Sequence, residues 1–413
     1  MRIGSRVRRF LAALGMAGVL ALGRPAPARA LEWQPILSLE VLGGQSFFEG
    51  NSSSFGGNAS LLFSPALLFS PRLSLVPAYA GNYRRTRQVA ELAGGAFLTQ
   101  ESQSHLVTVK GIYKLTPDWQ VKGKTSFERE FVLETADETW GNGLFDTEKI
   151  ALGLEAERSG AVVRSLRFAF DIYRYRFPNF QSLSTGQNFG TEINAGTDTL
   201  DFGALEPSVS LDILLWKDVL LTLQGLLSYQ HFGDANLVQS DGLYVDKKRR
   251  DINTTLGSAV QVALPQFTVR SLPVETGFSV NTSFKLAESN QNSYDASLQH
   301  FTSDYYDYKE AGIGPSLSFF LGSRARLGLG YFYTRRWYSD RLVQDQDGNF
   351  TSDARIHTVS QLIDYSFTYA LTKNFDLTFQ GSSLFADSNM GYEATYQYRY
   401  NATHFLAGFG YHF

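Results

Sequence analysis

Almost everywhere along this chain apolar residues recur at every second position, the period of strands whose two faces meet different surroundings. Val107, Val109, Gly111, Tyr113 and Leu115 share one face, against Thr108, Lys110 and Lys114 on the other. Leu166, Phe168, Phe170 and Ile172 oppose Arg167, Ala169 and Asp171. Leu327, Leu329, Tyr331 and Tyr333 oppose Arg326, Gly328, Gly330 and Thr334, and Ile363, Tyr365, Phe367, Tyr369 and Leu371 oppose Asp364, Ser366, Thr368 and Ala370. Past residue 30 no apolar run reaches the length of a membrane-spanning helix. The pattern predicts an all-β chain with one greasy and one polar face.

The breaks in the pattern alternate in length. Short ones fall at Ser70-Pro71-Arg72, Thr116-Pro117-Asp118, Arg158-Ser159-Gly160, Trp216-Lys217-Asp218, Leu264-Pro265-Gln266, Gly322-Ser323-Arg324 and Thr372-Lys373-Asn374. Pro fixes φ in such turns, and Gly or Asn tolerates left-handed backbone. Longer polar segments lie near 48–54, 88–101, 135–146, 178–198, 233–247, 288–304, 340–354 and 387–394. Seven short turns and eight long loops divide the chain into about sixteen strands. The count becomes 14 or 18 if one hairpin differs, Pro265 and Pro273 marking the least certain turn, and 178–198 has room for a plug or short helix. An even count with short turns on one side and long loops on the other is expected of a transmembrane antiparallel up-and-down β-barrel, its apolar faces turned to lipid.

Both ends of the chain fit that expectation. Arg2, Arg6, Arg8 and Arg9 precede the apolar run Phe10–Gly23, and Ala28-Arg29-Ala30 has the small-x-small form of a cleavage site. Residues 1–30 are therefore expected to be a signal peptide, and 31–413 the barrel. Removing 1–30 takes six arginines and no acid, leaving 31 bases against 40 acids, a charge of −9. An acidic chain without a long basic run argues against nucleic acid as a partner. With no Cys at all there is no disulfide, thiolate metal site or lipid-bearing cysteine. The last strand runs Phe405, Ala407, Phe409, Tyr411 on one face and ends at Phe413.

Parity assigns charged residues to the inner, polar face. Lys110, Lys114, Lys122, Lys124, Glu128, Glu130, Arg167, Asp171, Glu206, Arg326, Asp364 and Asp376 are the expected pore-lining set, and Glu40, Lys149, Glu155, Asp212 and Lys285 share their parity. The total of eight bases and nine acids predicts a water-filled lumen without strong charge preference. Lysines gather on the early strands and acids on the late ones, which suggests a field across the pore. A second basic group collects where strands enter long loops: Arg84, Arg85, Arg87, Arg174, Arg176, Lys247, Lys248, Arg249, Arg250, Arg335 and Arg336. As an external collar it would suit the phosphates of lipopolysaccharide. Trp119, Trp216, Phe375, Tyr411 and Phe413 near short turns, with Tyr79, Tyr83, Tyr331, Tyr333, Trp337 and Tyr338 near long loops, read as two interfacial girdles. Tyr173, Tyr175, Phe332, Tyr398 and Tyr400 have inward parity and are the rings that a carbohydrate path would use.

Catalytic chemistry finds no linear motif. None of His105, His231, His300, His357, His404 and His412 lies in a nucleophile motif or a metal-binding pair, and His404 and His412 are too far apart along one strand to share a metal. Asp345-x-Asp347-Gly348-Asn349 lacks the remaining ligands of a calcium loop and reads as a turn tip. The expectation is a protein with no cofactor, no metal and no enzymatic activity.

On its signal and its last strand the chain resembles the bacterial outer-membrane β-barrel superfamily. Gly408, Tyr411 and Phe413 match the carboxy-terminal signal for the barrel-assembly machinery, while Leu406 stands where a polar residue is usual. The resemblance implies periplasmic chaperones during biogenesis and a place in the bacterial outer membrane. The leading expectation is a porin-like channel for polar solutes. Alternatives are an export channel for polysaccharide working with periplasmic partners, or a structural or adhesive surface barrel.

Overall fold

The computed structural model describes residues 32–49, 51–52, 56–85, 88–92, 95–99, 101–135, 138–181, 195–296, 298–393 and 397–413. The expected signal peptide and Arg87 lie outside the described residues. Sixteen strands follow the alternating segments: β1 (Leu37–Phe48), β2 (Gly56–Phe63), β3 (Leu73–Arg85), β4 (Glu101–Lys114), β5 (Trp119–Leu133), β6 (Thr147–Ser159), β7 (Val163–Arg176) and β8 (Phe202–Trp216) form the first half. The second half is β9 (Val219–Val238), β10 (Tyr244–Val269), β11 (Leu272–Ser289), β12 (Tyr308–Leu321), β13 (Ala325–Gln344), β14 (Phe350–Ala370), β15 (Phe375–Ser388) and β16 (Tyr400–His412). No helix occurs among the described residues.

Each strand pairs antiparallel with the next, and β16 pairs back with β1 from Ser38↔His412 to Phe48↔Ala402. Phe413 completes the seam: its amide donates to Leu37 O at 2.8 Å and its carbonyl accepts from Leu37 N at 2.9 Å. Closure leaves no long strand edge unpaired. Short pieces at Glu32–Gln34 and Ala66–Leu68 pair with each other and continue β1 and β2 beyond interruptions at Pro35 and Pro65, where no amide hydrogen is available to the ladder.

Two environments divide the side chains. Ile150, Leu154, Phe168 and Leu256 stand 60, 65, 51 and 53 % exposed on the outer face. Apolar side chains on such a scale would be untenable in water and fit the hydrocarbon belt of a bilayer. The buried apolar cluster is elsewhere: Tyr338, Val343, Ile356, Met390 and Tyr398, with Tyr308 and Tyr392 against it, pack at the long-loop end.

Four segments expected as turns or loops need correction. Leu264-Pro265-Gln266 is not a turn, because β10 continues through it with a register shift between Leu264 and Phe267 and turns at Arg270-Ser271. A bulge accommodates the missing amide of Pro265, so proline here marks an irregularity inside a strand. Segments 233–247 and 340–354 are mostly strand. β9 and β10 (20 and 26 residues) and β13 and β14 (20 and 21) far exceed the ~9–11 residues that cross a bilayer, so their polar ends rise beyond it as tall hairpins. Segment 88–101 includes a small hairpin of its own, Gln88–Leu92 with Gly95–Thr99. Most of 178–198 lies outside the described residues.

Candidate functional site

Residues facing each other across an antiparallel ladder share a face, so register locates every inner-wall side chain. One row runs Lys110, Lys124, Gly153, Asp171, Glu206 across β4 to β8. Lys124 Nζ reaches Asp171 at 3.1 Å over Gly153, where a Cβ would fall 1.9 Å from Asp171 Oδ1. The glycine leaves the gap that the pair occupies. In neighbouring rows Lys122 pairs with Glu155 at 2.6 Å and with Glu157, Arg167 pairs with Asp212 at 3.0 Å, and Thr222 donates to Asp212 at 2.8 Å. Lys122 and Lys124 thus face acids one or two strands away and present no bare positive wall. Lys110, Lys114 and Asp364 make no ion pair among the described residues.

The remaining inward charges stand at different heights. Glu128 pairs in register with Lys149, whose ammonium lies 4.3 Å from the Tyr173 ring centroid, and Glu130 pairs with Thr147. Glu206 accepts from Tyr173 Oη at 3.2 Å. Near the short-turn end, Arg326 borders two open recesses, one of about 550 Å³ with Gln261, Ser279, Ser316 and Ser318, the other of about 530 Å³ with Glu40, Ser366, Thr368, Asp376 and Gln380. Beside the second recess, Ser38 Oγ and His412 Nδ1 lie 3.0 Å apart, and His412 Nε2 and Asp376 Oδ2 also 3.0 Å. A Ser-His-Asp chain has the composition of a hydrolase relay. The antiparallel ladder engages the backbone on both sides of Ser38, whereas an oxyanion hole needs donors aimed at the reacting oxygen.

At the long-loop end the wall is aromatic and cationic. Tyr175, Phe202 and Phe232 follow one another in register across β7, β8 and β9, with ring centroids 5.3 and 5.2 Å apart. Arg249 closes the row, 4.4 Å from the Phe232 centroid and doubly bonded to Asp251. Phe232 is only 1 % exposed, so the row packs on itself and offers little ring face to the lumen. Phe332 lies over Gly312 and Gly314, Tyr400 stacks on Phe48, and Tyr398 is buried in the apolar cluster.

Residues 290–296 and 298–307, between β11 and β12, form a strap between the tall hairpins. Asn292 Nδ2 donates to Val238 O at 3.0 Å on one side, and the His300 ring lies 4.2 Å from that of Phe350 on the other. Arg341 Nε donates to Tyr305 O at 2.7 Å, and the Tyr306 ring lies 4.1 Å from the Arg249 guanidinium. Asp307 accepts from Ser289 N at 2.6 Å. Burial, then the charges of Asp304, Glu288 and Asp251, pushes its carboxyl up to about 6, against the hydrogen bond from Ser289. The Asp345–Asn349 tip is a turn, with Asp345 Oδ1 accepting from the amides of Asp347 and Asn349.

The expected basic collar divides. Arg85 pairs with Glu101 at 3.0 Å, Arg335 lies against Trp337, Arg174 and Arg250 are exposed on the outer face, and Lys247 and Lys248 ride on a tall hairpin. Arg84 is in register with Asn58 and Ser102 on the inner wall. Arg249 and Arg336 also point inward, Arg336 onto Glu310 at 2.7 Å and over Tyr308. Tyr338, placed by sequence in a girdle, is 3 % exposed inside. Tyr305, Tyr306, Tyr308, Arg341, Asp251 and Glu310 were not singled out by sequence. The run Asp304-Tyr-Tyr-Asp-Tyr308, aromatic within a polar loop, is the signal that marks them.

Gly408 and Gly44 sit at the closing seam. A Cβ at Gly408 would lie 1.8 Å from Val41 O, and one at Gly44 1.9 Å from Phe405 O. Tyr411 shares the outer face with Phe409. Among the described residues no three His, Asp or Glu side chains are grouped to hold a metal ion.

A closed sixteen-stranded antiparallel barrel, apolar outside and polar within, is a bacterial outer-membrane β-barrel, and this chain has that fold. No protein-family model and no curated protein matches the sequence. Among solved structures it is similar to OccD3 (OpdP) of Pseudomonas aeruginosa, at 10 % identity and a TM-score of 0.44, with 95 % of this chain and 96 % of that chain covered. In-vitro folded OmpT, an outer membrane protein of Vibrio cholerae, in its trimer form, gives 12 %, 0.43, 93 % and 100 %. A bacterial polysaccharide outer membrane secretin gives 8 %, 0.43, 91 % and 98 %. Similarity at this level assigns no solute.

Proposed function

We propose that the protein is a channel through which small polar solutes cross the outer membrane passively. The observation that carries this reading is the inner wall. Polar and charged side chains line it from the recesses at the short-turn end, through the pairs of Lys122, Lys124 and Arg167, to the strap. Such a lining favours water, and a barrel of this strand number is wide enough to hold an aqueous path. Locally balanced ion pairs would make that path weakly selective for charge over most of its height. The reading includes no catalytic step. Export of a polysaccharide would favour open aromatic platforms along the wall, whereas the rings of Tyr175, Phe202 and Phe232 are stacked on one another. The test is single-channel recording of the detergent-folded protein in a planar bilayer, where ohmic conductance is expected.

A further inference from the structure

Where the strap meets the wall, side chains of β9 to β13 and Tyr306 of the strap line a cavity of about 190 Å³. Its rings are held before any ligand arrives. Arg249 lies against Tyr306, Arg336 and Lys285 lie over Tyr308, and Arg341 lies 4.3 Å from the Tyr338 centroid. Lys285 and Asn253 are uncommitted polar groups in its lining. The Lys285 ammonium lies 5.2 Å from the Tyr308 ring centroid and makes no ion pair among the described residues. The acid opposite it in register, Glu310, is held by Arg336. The Asn253 amide has no hydrogen-bond partner among the described residues.

The charge balance of the lining fixes the sign of a ligand. Asp251 is engaged by Arg249 and by Ser289 Oγ, and the lining holds three cations, Arg249, Lys285 and Arg341, against two acids, Asp251 and Glu288. Lys285 faces the cavity, whose lining also includes the buried Arg341. A half-buried ammonium in a pre-formed polar site is best compensated by an anion. The volume lies below the ~300–1,000 Å³ of pockets for drug-sized molecules, which restricts the occupant to about one sugar ring.

We infer that this cavity is a binding subsite for a small hydroxylated carboxylate, with Lys285 holding the carboxylate and Asn253 a hydroxyl. The inference rests on the proposed passage of polar solutes for its place on a solute path, and narrows that reading to a solute class. The probes are glucuronate and glucose, titrated calorimetrically into the full-length detergent-folded protein. Glucuronate should bind at least about tenfold more tightly than glucose, the scale of one charge-assisted hydrogen bond. Lys285→Gln should remove that preference, Asn253→Ala should weaken binding of both probes, and Lys110→Gln, elsewhere on the wall, should change neither. Heat-modifiable gel migration checks that each variant is folded. If Lys285→Gln does not fold, the Asn253→Ala result decides. Equal affinity for the two probes, no binding of glucuronate, or no effect of either cavity variant overturns the inference. Bilayer conductance of the same preparations separates the two proposals. Conduction without glucuronate binding removes the subsite alone, and binding without conduction removes passage alone.

Discussion

Side-chain parity was the most legible property of single residues. Lys122, Lys124, Arg167 and Asp171 fall on the wall that alternation gives them, because a pleated strand admits two directions. Parity says nothing of partners several strands away, so the acids that compensate those lysines were invisible. Near the loops it also fails to say whether a strand has left the membrane, which is why Arg249 and Arg336 read as an outer collar. Two predictions belong at this scale. Gly408→Val should push β1 and β16 apart, since its Cβ meets backbone rather than a flexible side chain; the cost should be about 1–3 kcal/mol. Loss of heat-modifiable migration at a lower temperature than wild type would show it. Asp307, raised from 3.8 to about 6, favours strap docking in its neutral form. Its contribution is full below pH about 4 and is lost as pH rises through about 6, when burial disfavours its charge and Asp304, Glu288 and Asp251 repel it. Proteolytic cutting within 290–307 should therefore accelerate between pH 5 and pH 7.5, and in Asp307→Asn this acceleration should be much reduced.

Among elements, strand existence was readable and strand length was not. Apolar alternation stops at the edge of the belt, but pairing does not. The polar upper halves of β9, β10, β13 and β14 are held by ladder bonds and by the strap, neither of which has a period in the sequence. Proline misled for a physical reason: Pro265 sits at a bulge, and the real turn at Arg270-Ser271 carries neither Gly nor Pro. Both residues there have positive φ, 48° and 69°, in a two-residue hairpin between Val269 and Leu272. That geometry favours Asn-Gly, so Arg270→Asn with Ser271→Gly should stabilise the hairpin by about 1–2 kcal/mol. The expected readout is a higher temperature for heat-modified migration. The strap is an element of another kind, defined by its anchors. Replacing residues 291–304 with a short Gly-Ser linker should leave the barrel closed and raise its conductance; unchanged conductance would mean that the strap lies off the path.

For the whole molecule, strand number and closure could be counted in advance because each crossing of a bilayer leaves one apolar stretch and one break. The shape of the lumen could not be, since it depends on which loops fold inward and on which charges cancel. Among the described residues the two ends of the wall differ, with polar recesses at the short-turn end and a cluster of tyrosines and arginines at the other. The measurement that bears most directly on this account is single-channel current across a planar bilayer holding the purified, heat-modifiable protein. Stable ohmic steps, with a reversal potential near zero in a salt gradient, are the predicted result. A folded, inserted protein that passes no current would contradict it.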